Sequence, residues 1–558
     1  MFLFSTVACT HLPQETQKPT VPTYRTEGIS AGYYHYSLGV QANVKGNLDS
    51  AIEEYEKALT FDPHSPYLMT ELATLYLREK KPDDALSLLK QSLVQDPDYI
   101  DTHLLLGGIY SKLKKYDEAI QSYKKVIQLD SKKLESYFFL GLLYREKKEY
   151  NEAIGILTSL LGIDADSLMG NYYLAKIYGD MKSYDEAEKF FKKSIEIKPS
   201  FDSALTDLAL LYEVQKEDAK ALEFFSDFVG RNPSATTARL YLGKTLFRQD
   251  KYREAAEEFR KILDVNSSHM EARYSLGLAY FFEGKEYRKA IEEFLAVLNK
   301  FPNAARTKYF LASSYDKDGQ QGKAFETFKA IPQDSDLYTS TRTHMALILK
   351  GDGRVPEAIN LIREAIVTKK EDAADLYGLL ASLYDGSNEL DVAEKTLKEG
   401  IILFPNDIDL HYKLGVIYEK THRFSESVDE MKELLKIDKD NAEALNFIGY
   451  GYADRGINLD EAEKLIKRAL SLKPDNGFIT DSVGWLYFKT GRMDLAIKYL
   501  KKAAAMLPDD PTVAEHLGDA YRKSGMITEA RRMYLRALNL GPLKKETLQE
   551  KIDQLSSN

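Results

Sequence analysis

The chain has 558 residues, 44% of them apolar and 29% charged, which supplies a core and a soluble surface and excludes a collagen-like, mucin-like or wholly disordered protein. A formal charge of −10 argues against a bulk polyanion binder such as a non-specific nucleic-acid protein, which needs a basic face. A single cysteine, Cys9, rules out an internal disulfide framework and any cysteine-based zinc or iron–sulfur site, and no apolar run approaches the roughly 18 residues of a membrane-spanning helix.

Residues 1–9, MFLFSTVAC, open apolar and place Cys9 directly after the small residue Ala8. This resembles the end of a bacterial lipoprotein signal, and the resemblance implies lipidation of Cys9. Thr6 stands where the signal has leucine, and no basic segment precedes the apolar stretch, so a precursor starting upstream of Met1 is expected. Residues 10–31 are polar, carry Pro13, Pro19 and Pro22, and read as an extended tether between anchor and array. Thr10 after the cysteine implies sorting to the outer membrane.

From residue 32 to residue 542 one pattern recurs with a period of 34, occasionally 35. A small residue returns at Gly39, Ala73, Gly107, Gly141 and onward to Gly484 and Gly518; a second follows twelve or thirteen residues later, from Ala51 to Ala530. Each of about fifteen units reads as two amphipathic helices. In the third, Leu106 and Tyr110 stand at i and i+4, and after a break Ala119, Tyr123 and Val126 at i, i+4 and i+7. Prolines such as Pro63, Pro97, Pro302 and Pro508 close many units, because proline cannot continue the second helix. The small residues permit close helix approach, Gly or Ala of the first (A) helix facing Ala of the second (B). Single-residue insertions at Gly284–Tyr287 and Gly456–Asp460 are expected to loosen turns without breaking the stack. After residue 542, Leu548, Ile552 and Leu555 form an apolar stripe opposite Lys545, Glu546, Glu550 and Asp553, as a capping helix requires.

The pattern resembles the tetratricopeptide repeat, shown in the fifteenth unit by Leu517-Gly518, Tyr521, Ala530, Tyr534, Ala537 and Pro542. The resemblance implies an all-α, right-handed α-solenoid superhelix over residues 32–542, with residues 543–558 as cap and tail, and a concave face lined by A helices that binds protein segments.

No catalytic constellation stands out. The nine histidines are dispersed; His35, His103 and His411 occupy a large-residue packing position, and no HExxH, P-loop or GxSxG occurs. Glu53 and Glu54 fall off the packing stripe of their helix and read as a solvated face. No metal, cofactor or enzymatic activity is expected. What remains is a surface. The residue three before each small residue points toward the groove, which makes Tyr36, Leu104, Phe138, Tyr172, Leu240, Tyr274, Tyr309 and Tyr412 the candidate partner-binding anchors; Asn446, Asp481 and Glu515 turn the line polar at its end. The same tyrosines could instead pack against a neighbouring repeat.

The last three units carry Gly449-Tyr450, Ala453-Asp454-Arg455 and Asp481-Ser482-Val483-Gly484-Trp485. This resembles the C-terminal region of long proteobacterial repeat lipoproteins, some of which hold a periplasmic carboxyl-terminal processing protease and present it with cell-wall hydrolases. The expectation is a non-enzymatic scaffold or adaptor, lipid-anchored at the periplasmic face of the outer membrane, with such a protease or its substrates as partner. The alternative is a soluble, cytoplasmic chaperone for an export or secretion client.

Overall fold

The structure, a computed structural model, describes residues 23–541 and 545–556; Cys9 and the candidate signal lie outside them. Thirty of its thirty-one α-helices fall into fifteen consecutive A–B pairs, and the last, Lys545–Ser556, is the expected cap. Among the described residues no strand occurs. The first helix, Thr23–Val44, starts nine residues earlier than the expected array boundary: Pro22 is the last proline of the leader, and nothing beyond it interrupts an α-helix.

The chain divides into two units, residues 1–275 and 276–558. Each is a one-dimensional stack in which a pair packs on its neighbours alone, and each core is correspondingly serial. In the first unit one cluster runs from Ala51 to Ile109 and another from Ala119 to Ile177. In the second, one runs from Tyr338 to Tyr418 and another from Val428 to the cap residues Leu548, Ile552 and Leu555. Within both units consecutive A helices touch in several repeats, whereas consecutive B helices do not come together in this way, so A helices line the inner side of each stack.

The small residues do the expected work with one correction. The A-helix glycine receives a large side chain four residues beyond the B-helix alanine, besides approaching the alanine itself. A β-carbon on Gly39 would lie 2.6 Å from the Tyr55 ring, one on Gly243 2.5 Å from Phe259, and one on Gly277 2.7 Å from Phe294. These B-helix rings are almost wholly buried, and each full burial is worth about 1.5–3 kcal/mol. Ser427, replacing alanine in the twelfth repeat, donates its hydroxyl to the Gly415 carbonyl at 2.7 Å, which shows how near the two backbones come.

The A–B turn has a feature the sequence pattern does not expose. One residue per repeat, and two (Gly456 and Asn458) in the thirteenth, sits in the left-handed region: glycine in some, such as Gly46 and Gly284, but Lys80, Lys114, Lys148, Lys182 and Lys216 in five successive repeats, at φ between 57° and 65°. The ninth repeat is irregular. Its B helix, Gln321–Lys329, has 9 residues against 14 in the flanking repeats, because Pro332 biases Ile331 away from helical angles.

Candidate functional site

The A helices of repeats 2, 3 and 4 are Pro66–Arg78, Ile100–Lys112 and Leu134–Glu146. Counting from the packing residue of each (Ala73, Gly107, Gly141), the inward face is formed by positions six and two before it and one and five after it, an i, i+4, i+7, i+11 stripe. All of these except Arg78, which bonds Asn43 instead, line an open groove of about 1010 Å³. Its floor is Leu105, Phe139, Leu142 and the Tyr123 ring, with Leu104 on the wall; its rim carries Glu71, Asp101, Glu135, Glu146 and one cation, Lys112. Phe139 keeps 37% of its surface exposed. Gly108, the second glycine of a doublet, also opens onto this groove: a β-carbon there would meet nothing closer than the Tyr123 hydroxyl at 3.9 Å. Gly107 is required by packing; Gly108 leaves the groove floor open.

The expected anchors occupy the position three before the packing residue, and the structure gives that line a second task. Five of its members reach the residue two before the packing residue of the next repeat, at a separation of 35. In the first unit Phe138 meets Tyr173 edge-on at 5.4 Å and the Tyr172 hydroxyl donates to Asp207 at 2.7 Å. In the second unit Tyr309 bonds His344 at 2.9 Å, Tyr412 meets Phe447 at 6.1 Å, and Asp481 accepts from His516 at 2.9 Å. Tyr36 departs from this spacing and bonds Tyr67, 31 residues on and six before the packing residue Ala73, at 2.7 Å. Tyr36, Leu104, Phe138, Tyr172, Tyr274, Tyr309 and Tyr412 are all half-buried. Leu240 is a correction: at 5% exposure it belongs to the core, so it presents no surface to a partner. Leu105 and Phe139, one residue further along the helix, line the groove floor, a position that sequence spacing misses. Both stand in the sequence as apolar residues just before a Leu-Gly packing site.

Other readings are adjusted. His411 is buried and bonds Glu430 and the Pro405 carbonyl, and His103 bonds the Pro97 carbonyl at 2.8 Å, as packing residues do. Glu54 is not on a solvated face: it accepts from His35 at 2.7 Å and from Lys57 at 2.7 Å, and those bonds hold its carboxyl below the usual range, Lys57 most of all. At the polar end of the line, the Trp485 indole donates to Asp454 at 3.0 Å and stacks on His516 at 3.9 Å, while His516 bonds Asp481. Asp454 of the Ala-Asp-Arg motif, itself exposed, and the buried Asp481 and Trp485 of the Asp-Ser-x-Gly-Trp motif therefore join one inter-repeat cluster with His516, whereas Arg455 turns away to Glu419. Glu515 is engaged by Lys551 of the cap at 2.8 Å. A smaller cleft of about 740 Å³, at the shortened ninth repeat, is lined by Phe325, Lys329, Arg342, Leu361 and Arg363. Among the described residues no group of three or more His, Cys, Asp or Glu is placed to hold a metal ion, and every α-helix belongs to a repeat or to the cap.

Models of the tetratricopeptide repeat match residues 240–305 and 484–544, and a further one matches 408–441. The model of anaphase-promoting complex, cyclosome, subunit 3 matches residues 44–126 and 123–194. Together with fifteen helical pairs of constant register, these matches make the chain a tetratricopeptide repeat protein, an α-solenoid of the kind that serves as a protein-interaction scaffold. A TPR repeat-containing protein of Pseudomonas aeruginosa is 28% identical over 171 residues, 31% of this chain and 29% of that protein. BBSome complex member BBS4 of Mus musculus is 25% identical over 145 residues, 26% of this chain and 27% of that protein. The chain thus spans less than a third of the length of either relative. Among solved structures, yeast Tom70 is 17% identical with a TM-score of 0.39, covering 76% of this chain and 96% of that one. The MamA protein is 26% identical with a TM-score of 0.29, covering 31% and 93% respectively.

Proposed function

We propose that this protein is a lipid-anchored scaffold of the bacterial cell envelope that gathers protein partners on the inner faces of its A helices. The observation that carries the interaction surface is the open groove of repeats 2–4, whose floor exposes Phe139 and Leu105 beside a glycine that keeps it clear. Apolar area left open on a protein surface marks a site that something else covers. The half-buried aromatic residues Phe138, Tyr172, Tyr274, Tyr309 and Tyr412 extend that surface along each unit. Binding several partners on one array raises their effective concentration for one another, which is how a scaffold acts without chemistry of its own.

The anchor rests on Ala8-Cys9 and the polar segment behind it, and the periplasmic face of the outer membrane on Thr10. Partner choice rests on the C-terminal motif around Asp454, Asp481 and Trp485, which favours a carboxyl-terminal processing protease or one of its cell-wall hydrolase substrates. Metabolic labelling with a palmitate analogue tests the anchor: label on the wild type and none on Cys9→Ser is expected, and equal labelling of the two would refute it. Capture of the processing protease from envelope fractions tests the surface. Retention by wild type and loss by a Phe138→Ala, Phe139→Ala, Tyr172→Ala variant of unchanged helicity is the expected result. A soluble chaperone for an export client is the second reading, favoured if Cys9 carries no lipid.

A further inference from the structure

We infer that the groove of repeats 2–4 takes a segment of a partner protein in which Leu or Phe side chains are interspersed with Lys or Arg; this rests on the interaction-scaffold reading above and adds the chemistry of the occupant. Four carboxylates, Glu71, Asp101, Glu135 and Glu146, face one cation, Lys112, across an apolar floor. Ion pairs are frequent elsewhere in the chain, yet none of these four carboxylates has a cationic partner among the described residues. The comparison with repeat 6 is direct. Asp207, at the position equivalent to Glu71, accepts from Tyr172 at 2.7 Å and from Lys176 at 3.0 Å. Glu71 has neither bond, and its burial, with Asp101 nearby as the smaller cause, pushes its carboxyl above the usual range.

Two of the four have a local reason to be there. Asp101 and Glu135 sit in the first turns of their helices, where the dipole favours negative charge. Glu146 ends its helix, where the dipole opposes it, and Glu71 lies mid-helix and half-buried. Neither has an ion-pair partner among the described residues, and a Lys or Arg entering the groove would supply one. The apolar floor between the carboxylates requires that the same segment bring Leu or Phe side chains. An acidic tail, the ligand of a basic clamp, is repelled by this rim.

The test uses the full chain and fluorescence anisotropy with three labelled synthetic peptides: leucines and phenylalanines spaced by lysines, the same peptide with glutamates for lysines, and the same with serines for the apolar residues. The first should bind, with the other two at least about tenfold weaker, and its affinity should fall as salt is raised. A Glu71→Gln, Asp101→Asn, Glu135→Gln, Glu146→Gln variant, checked for helicity, should lose about tenfold or more and flatten the salt dependence. The same charge change placed on exposed B-helix residues, Glu118→Gln, Glu152→Gln, Glu186→Gln, Glu257→Gln, should leave affinity within about twofold. Equal binding of the glutamate peptide, or equal loss from both charge variants, would overturn the inference. If no peptide binds while a native protein still cross-links at Phe139, the occupant's chemistry is wrong and the scaffold reading stands; if both fail, both fall. Peptide binding gained only on deletion of residues 1–22 would assign the groove to the chain's own leader, and a dimer dissociated by peptide would assign it to a second copy. Either result overturns the inference.

Discussion

Lys182, at φ 61°, does what glycine does in other repeats: it takes the left-handed turn that lets the B helix fold back on the A helix. An L-residue there is strained, while glycine adopts the conformation freely and loses more chain entropy on folding. The strain outweighs the entropy, so Lys182→Gly should stabilise by about 0.5–1 kcal/mol, read as a higher urea midpoint. Gly277→Leu should act the other way, costing about 1–3 kcal/mol, since its β-carbon would lie 2.7 Å from the Phe294 ring. The two kinds of position differ in legibility. A packing glycine repeats with the helix contact that requires it and is visible at once as a 34-residue period. The turn lysines carry no intrinsic preference for positive φ, and only the backbone shows what they share with Gly46 or Gly284.

Between elements, contacts at a separation of 35 couple several A helices to the next, and Asp481–His516 is the ion pair among them whose strength depends on pH. Burial, the largest single influence, lowers the His516 pKa, but the Asp481 carboxylate at 2.9 Å and the nearby Asp519 and Glu515 together outweigh it and hold the ring above its usual value. The sign follows: stability from this pair is fully present below the unfolded value of about 6.5 and is lost as pH rises through the folded one. Burial lowers the pKa of His344, which therefore costs stability as pH falls, so the wild-type curve mixes both. The difference in urea midpoint between wild type and His516→Gln isolates the pair; it should be largest at acid pH and shrink as pH rises, and a difference independent of pH would contradict the assignment. At this scale the fifteen pairs and the cap follow from periodicity. Pro332, which shortens the ninth B helix, is hard to recognise as a boundary because it falls before the place where other repeats end. The partner positions of Tyr172 and Tyr309 are not legible either, because sequence spacing fixes a helix face but not which neighbour a side chain on its edge meets.

For the whole molecule, the groove and the array make opposite demands on one residue. Gly108 weakens its helix by about 1 kcal/mol relative to alanine, and no packing partner requires it. Gly108→Leu should therefore raise the unfolding midpoint while filling the groove and abolishing partner binding. Phe139→Ala should weaken binding by about 1–2 kcal/mol with helicity intact. The inner face itself can be inferred from the repeat, but its register is displaced by one residue: spacing favours Phe138 and Leu104, where Phe139 and Leu105 form the floor. The most direct test of the scaffold is a photo-reactive benzophenone side chain placed at Phe139 and, separately, at Val94, which is 77% exposed on a B helix outside the groove. Irradiated in the living cell, the Phe139 protein should cross-link one discrete partner, through a peptide identified by mass spectrometry, and the Val94 protein should not. Adducts at Val94 alone, or at neither position, would contradict it.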